Sequence, residues 1–154
     1  MKGLYLVTPD WDDTDQLLRI TESALQAGVG LLQYRHKTAT DALRLTQAKA
    51  LQALCRQYKV PFIINDHLAL CEELDADGVH VGGTDATVAS VRSIIGPNKI
   101  LGASCYGDLQ RAKEAAMAGA SYVAFGGFYP SRVKKYEVST PTDIISRAKA
   151  ATAL

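Results

Sequence analysis

The sequence is poor in cysteine, in net charge and in long apolar runs, and each shortage excludes a class of protein. Its three cysteines, Cys55, Cys71 and Cys105, are widely spaced and odd in number, with no Cys-x-x-Cys pair. That argues against a disulfide framework or a zinc site and predicts small, buried, reduced thiols in a cytoplasmic protein. Seventeen Lys and Arg against 16 Asp and Glu leave a formal charge of +1, so the overall charge makes no case for nucleic-acid binding. No apolar stretch is long enough for a membrane span. The chain passes from Met-Lys-Gly-Leu-Tyr straight into a strand pattern, with no signal-peptide organisation. Gly126-Gly127-Phe128-Tyr129-Pro130 is neither a dinucleotide fingerprint nor a P-loop. Spacing supports no Ser-His-Asp triad and no Cys-His nucleophile.

What is present reads as one globular domain over residues 1–154, with 47% apolar and 21% charged residues. Short apolar runs at Gly3–Thr8, Leu31–Tyr34, Pro61–Ile64, Gly78–Val81, Ile100–Ala103 and Tyr122–Phe125 have the length and composition of strands. Helical spacing lies between them. In Asp15–Ala27 the apolar set is Leu17, Ile20 and Ala24, with Gly28 as the stop. In Asp41–Lys59 it is Leu51, Leu54, Cys55 and Tyr58, with Thr40 as N-cap. Leu109–Ala118 ends at Gly119, and Ile144, Ile145 and Ala148 mark a sixth helix. This alternation predicts α/β architecture with a parallel sheet buried on both faces.

The polar residues choose between an open sheet and a barrel. Gln33, Arg35 and Lys37 share one side of strand 2, because side chains two apart on a strand point together. Strand 3 ends in Asn65-Asp66, strand 4 runs into Asp85, strand 5 ends in Ser104, and strand 6 leads to Ser131 and Lys134. Five successive strands deliver polar groups at one end, as at the mouth of a TIM (β/α)₈ barrel, here with only six of the eight units. Three cations, Arg35, Lys37 and Lys134, with two carboxylates, Asp66 and Asp85, suit a diphosphate and a Mg²⁺ ion that takes one or two carboxylates. The competing reading makes the two aspartates helix caps and the cations solvated surface. His80 reads as a hydrogen-bonded structural residue. His36 alternates away from the Gln33 side, and His67 begins a helix. The glycines at 126 and 127 either admit a ligand close to the backbone or relieve crowding.

Five segments together resemble the thiamine-phosphate synthase family over nearly the whole chain. They are Gln33-Tyr34-Arg35-His36-Lys37, Ile63-Ile64-Asn65-Asp66, Ala76 to Asp85, Gly102-Ala103-Ser104-Cys105-Tyr106, and Ala124 to Lys134. The resemblance implies coupling of 4-amino-2-methyl-5-pyrimidinylmethyl diphosphate to thiazole phosphate, by a dissociative substitution that releases diphosphate. It implies Mg²⁺ on Asp66 and Asp85, and diphosphate contacts from Arg35, Lys37, Asn65 and Lys134. Gln33 and Ser104 would orient the pyrimidine, and Ser131, Arg132 and Val133 would receive the thiazole phosphate. Tyr34 and His36 belong to the same substrate-binding segment, and Arg35, Lys37, Ser104 and Lys134 form the catalytic set.

Two departures from the family pattern stand out. Val133 replaces a hydroxyl residue and so removes one hydrogen-bond donor. Six units also fall short of eight, leaving open strand edges, the prospect of homo-oligomerisation, and the alternatives of a fragment or a truncated product. A thiazole tautomerase of the same fold and a catalytically dead ligand-binding subunit are the competing functions. Tyr106, where an acid/base reaction would use histidine, favours the synthase. The segment Ser131–Ser139 is the expected mobile loop.

Overall fold

Short β-branched runs and amphipathic stretches alternate along the chain, and the computed structural model follows them strand by strand. It describes residues 3–82, 87–129 and 140–154. The contacts divide the chain into two compact units, Met1–Val79 and His80–Leu154. The first holds β1 (Leu4–Val7), α1 (Thr14–Gln26), β2 (Val29–Tyr34), α2 (Asp41–Tyr58), β3 (Phe62–Asn65) and α3 (Leu68–Glu73). The division falls within β4 (Gly78–Val81). The second continues through α4 (Val88–Ile95), β5 (Ile100–Tyr106), α5 (Leu109–Met117), β6 (Tyr122–Phe125) and α6 (Ile144–Ala151). Strand order follows the chain, β1-β2-β3-β4 in the first unit and β4-β5-β6 in the second. The pairs β1/β2, β2/β3 and β5/β6 are parallel.

Local chemistry accounts for the boundaries. Asp13, Thr40, Thr87 and Asp108 each accept a backbone N–H at the start of α1, α2, α4 and α5, satisfying donors that a first helical turn leaves open. Thr40 is the cap expected from the sequence. Gly28, at φ +93°, follows α1 in a conformation that favours glycine. Strand β5 runs past Ala103 to Tyr106, because Ser104 and Tyr106 continue the pairing with β6 across a register shift.

Packing departs from the sequence expectation in two places. Helix α1 buries Leu17, Thr21 and Leu25, while Ile20 is 49% exposed. Both stripes satisfy helical spacing; the helix is rolled so that Thr21 sits at the centre and Ile20 slips to the flank. Its hold on α2 is partly polar, through Gln26 donating to the Tyr58 hydroxyl and Tyr58 donating to Glu22. Burial on both faces, expected of every strand, holds for β3 and most of β2. It does not hold for β1, where Leu4 and Val7 are exposed, nor for the half-buried β6. Each of these two strands pairs with a single described neighbour, so one flank lacks cover.

The cysteines are free and buried, as expected. Burial pushes the Cys55 thiol up to about 12 and the Cys105 thiol up to about 11, so neither supplies a thiolate. Among the described residues no helix is long and apolar enough to cross a membrane.

Candidate active site

In the first unit, β2 pairs in register with its neighbours, Gln33 opposite Val7 on β1 and Ile63 on β3. Alternation then separates its last residues. Gln33, buried, donates its amide to the Tyr5 hydroxyl of β1 at 2.6 Å. Tyr34 points the other way and donates its hydroxyl to Gln47 Oε1 of α2 at 2.9 Å. Tyr34 is 2% exposed and lies in the core beneath α2; Gln33 and His36 of the same motif are buried as well, and only Arg35 and Lys37 reach solvent. Burial pushes the Tyr34 phenol up to about 12.

Arg35 is fixed from both ends. The Thr8 hydroxyl accepts the Arg35 N–H at 2.8 Å and donates to the Arg35 carbonyl at 3.0 Å, clamping the backbone just beyond β2. Its guanidinium Nη1 donates to both carboxylate oxygens of Asp10, at 3.1 and 3.2 Å. Asp10 Oδ1 also accepts the backbone N–H of the exposed Lys37 at 3.0 Å. Partial burial works to raise the Asp10 pKa. The Lys37 N–H and the Arg35 charge outweigh it and hold the carboxyl below its usual range. His36 turns inward, with Nε2 3.0 Å from Asp12 Oδ1, but neither ring nitrogen has hydrogen-bond geometry.

At the end of β3 a tight turn presents Asn65 and Asp66. Asp66 adopts a left-handed conformation, φ +59°, and its Oδ2 accepts from the Asn65 amide at 2.7 Å. The cap of α3 is His67, so Asp66 is not the helix cap that the competing reading made of it. Burial and the Arg44 charge lower the His67 pKa against the opposing pull of Asp66 and Asp41. Asp66 is an exposed oxygen donor with a supporting amide, which fits the hard-oxygen preference of Mg²⁺. Among the described residues no three His, Cys, Asp or Glu side chains group as a metal cage. Mg²⁺, which keeps waters and takes phosphate oxygens, does not need one. Asp85, the second expected ligand, lies outside the described residues, as do Ser131, Arg132, Val133, Lys134 and the expected loop 131–139.

In the second unit the polar centre is Ser104 on β5. Its hydroxyl lies 2.8 Å from His80 Nε2 of β4, and His80 Nδ1 lies 2.9 Å from the Tyr122 hydroxyl of β6. His80 is therefore hydrogen-bonded at both ring nitrogens, in keeping with its structural reading. At the end of β5 a cavity of about 420 Å³ is lined by Tyr106, Asp108, Arg111, Gly126, Gly127 and Thr140, and Ser104 lines a different one, of about 300 Å³. A Cβ on Gly126 would meet nothing, so crowding does not explain that glycine. A Cβ on Gly102 would overlap Tyr122 and His80, so the crowded position is Gly102.

Chemically, the end of β2 and β3 in the first unit offers Arg35, Lys37 and the Asp66 carboxylate for an anionic ligand and a metal ion, and β5 in the second offers the Ser104 hydroxyl. Asp10, Thr8, Tyr5 and Tyr122 were missed by sequence reasoning. For Thr8 and Asp10 the signal was topological: the segment after β1 opens at the same strand ends as the others.

The family described as thiamine monophosphate synthase matches residues 4–154. A thiamine-phosphate synthase of Janthinobacterium sp. (strain Marseille) is 70% identical over 97% of this chain and 72% of its own length. One of Nitrosomonas eutropha is 49% identical over 97% of this chain and 70% of its own. Among solved structures, a thiamine phosphate pyrophosphorylase of Pyrococcus furiosus superposes with a TM-score of 0.73 at 32% identity, covering 83% of this chain and 61% of that one. The fold is accordingly α/β of the TIM-barrel type, of which this chain supplies six βα units. The chain belongs to the thiamine monophosphate synthase family.

Proposed function

We propose that this chain catalyses the family's transferase reaction, joining an aminopyrimidine methyl diphosphate to thiazole phosphate and releasing diphosphate. The observation that carries the reading is the Arg35–Lys37 corner. Thr8 clamps the Arg35 backbone, and Asp10 holds both its guanidinium and the Lys37 backbone N–H. A dissociative substitution asks a protein mainly to stabilise the departing diphosphate as the methylene C–O bond breaks. Preorganised cations meet that demand because they need not reorient as charge develops. The pyrimidine cation is then captured by the thiazole nitrogen, and no side-chain base is required.

In this reading Arg35, Lys37, Asn65 and Lys134 contact the diphosphate. Gln33 and Ser104 orient the pyrimidine, and Ser131, Arg132 and Val133 meet the thiazole phosphate. Asp66 and Asp85 would hold Mg²⁺, whose charge would offset that of the diphosphate. A cytoplasmic setting is consistent with three buried, unpaired thiols.

The tautomerase alternative is disfavoured by Tyr106 and by the activity named for the 70%-identical relative. Calorimetry with the pyrimidine diphosphate, with and without Mg²⁺, tests the reading when paired with a turnover assay. Mg²⁺-dependent binding with turnover is expected. Binding without turnover at saturating thiazole phosphate would replace the enzyme by a dead binding subunit, and diphosphate-independent isomerisation would establish the tautomerase.

A further inference from the structure

The ring of His80 bridges two hydroxyls, and a neutral imidazole has one donor nitrogen and one acceptor nitrogen. Tyr122, His80 and Ser104 therefore form a directional chain of hydrogen bonds. In one direction the Tyr122 O–H donates to Nδ1 and Nε2–H donates to the Ser104 oxygen, leaving the serine proton to be offered elsewhere. In the other, Ser104 donates to Nε2 and has only lone pairs to offer. A phenol is a better donor than acceptor, which favours the first direction.

We propose that His80 is a positioning residue that turns the Ser104 hydroxyl into a hydrogen-bond donor toward an acceptor nitrogen of the pyrimidine substrate, with Tyr122 selecting its tautomer. This rests on the synthase reading only for the identity of the acceptor; the chain itself stands on geometry within the second unit. His80 is buried at 6% exposure, and its two contacts are 2.9 and 2.8 Å. The Tyr122 ring stacks on the imidazole with centroids 5.6 Å apart and planes 30° apart. Beneath them lies Gly102, which pairs with Tyr122 in the strand register. Any side chain there would occupy the space where the two rings meet, so the missing Cβ is what lets the phenol reach Nδ1. Three neighbouring strands thus each contribute one polar group, and a glycine makes room for the contact.

Two measurements test it. Nitrogen-15 NMR of the histidines should show His80 as a single Nε2–H tautomer in the wild-type chain and as a mixture in Tyr122→Phe. A wild-type Nδ1–H form or an even mixture overturns the proposal, whatever the chain's activity. In the kinetic arm, Ser104→Ala and His80→Asn should each lower kcat/KM by more than about tenfold, the loss of one aligned hydrogen bond to a charged transition state. The double variant should fall no further than Ser104→Ala alone. His80→Gln, whose amide reaches nearer the Nε2 position, should recover part of the loss.

Losses that multiply would make His80 a general structural support and overturn the proposal. A fully active Ser104→Ala enzyme would overturn it too, while leaving the reaction standing. Absence of turnover in the wild-type chain would instead defeat the synthase reading, with the NMR arm still deciding whether the hydrogen-bond direction is set.

Discussion

Asp10 ties two residues of the β2 end together with one carboxylate, holding the Arg35 guanidinium and the Lys37 backbone N–H. Asp10→Asn should therefore raise KM for the pyrimidine diphosphate several-fold, with a smaller effect on KM for thiazole phosphate, in steady-state kinetics. Its stability cost at neutral pH should be about 1 kcal/mol or less, since an exposed ion pair is screened by solvent. The sign of its pH dependence follows from the lowered pKa. The Asp10 contribution is complete above the usual carboxylate value of 3.8 and fades as pH falls through the lower folded value. Melting temperatures of wild type and Asp10→Asn should thus differ at pH 6 and converge in strong acid. Val133→Thr should lower KM for thiazole phosphate by about fivefold, the worth of one added hydrogen bond. An unchanged value would count against Val133 as part of that subsite.

Helix α2 does more than cover the sheet. Gln47, fully buried, accepts from Tyr34 of β2 and donates to the Trp11 carbonyl of the β1–α1 segment that carries Asp10. One amide thus ties α2, β2 and the β1–α1 segment together. Gln47→Leu leaves the Tyr34 hydroxyl and a backbone carbonyl without their partner, and should cost roughly 2–4 kcal/mol in urea unfolding. Adding Tyr34→Phe should recover part of that, because the stranded hydroxyl is gone. In β5, Gly102→Ala should destabilise the protein by roughly 1–3 kcal/mol or more through overlap with Tyr122 and His80.

Elements of this kind were legible in the sequence where the signal is local. The Thr40 cap, the glycine after α1 and the β4 and β6 boundaries follow from propensity and turn chemistry. The roll of α1 was not legible, because Leu17 belongs to two stripes that satisfy the same spacing. Nor was the burial of Tyr34 under α2, or the pairing of Asp10 with Arg35, since both depend on residues far apart in the chain. The placement of Gln33, Arg35, Asn65, Asp66 and Ser104 at or near strand ends was legible because polar residues recur there in the sequence. The residues that hold them in place follow no such repeat.

At the scale of the whole molecule, a formal charge of +1 conceals local cations at Arg35 and Lys37, and the length is short of the relatives. The chain spans 72% and 70% of two curated thiamine-phosphate synthases and 61% of a solved pyrophosphorylase. The central claim is that these six βα units carry the coupling chemistry. Its most direct test is to incubate the purified 154-residue chain with the pyrimidine diphosphate, thiazole phosphate and Mg²⁺, and to quantify thiamine phosphate and diphosphate together. The account predicts the two products in equal amounts, with formation suppressed when Arg35 is replaced by Gln. Absence of thiamine phosphate at saturating substrates, from a chain shown to be folded, would contradict it.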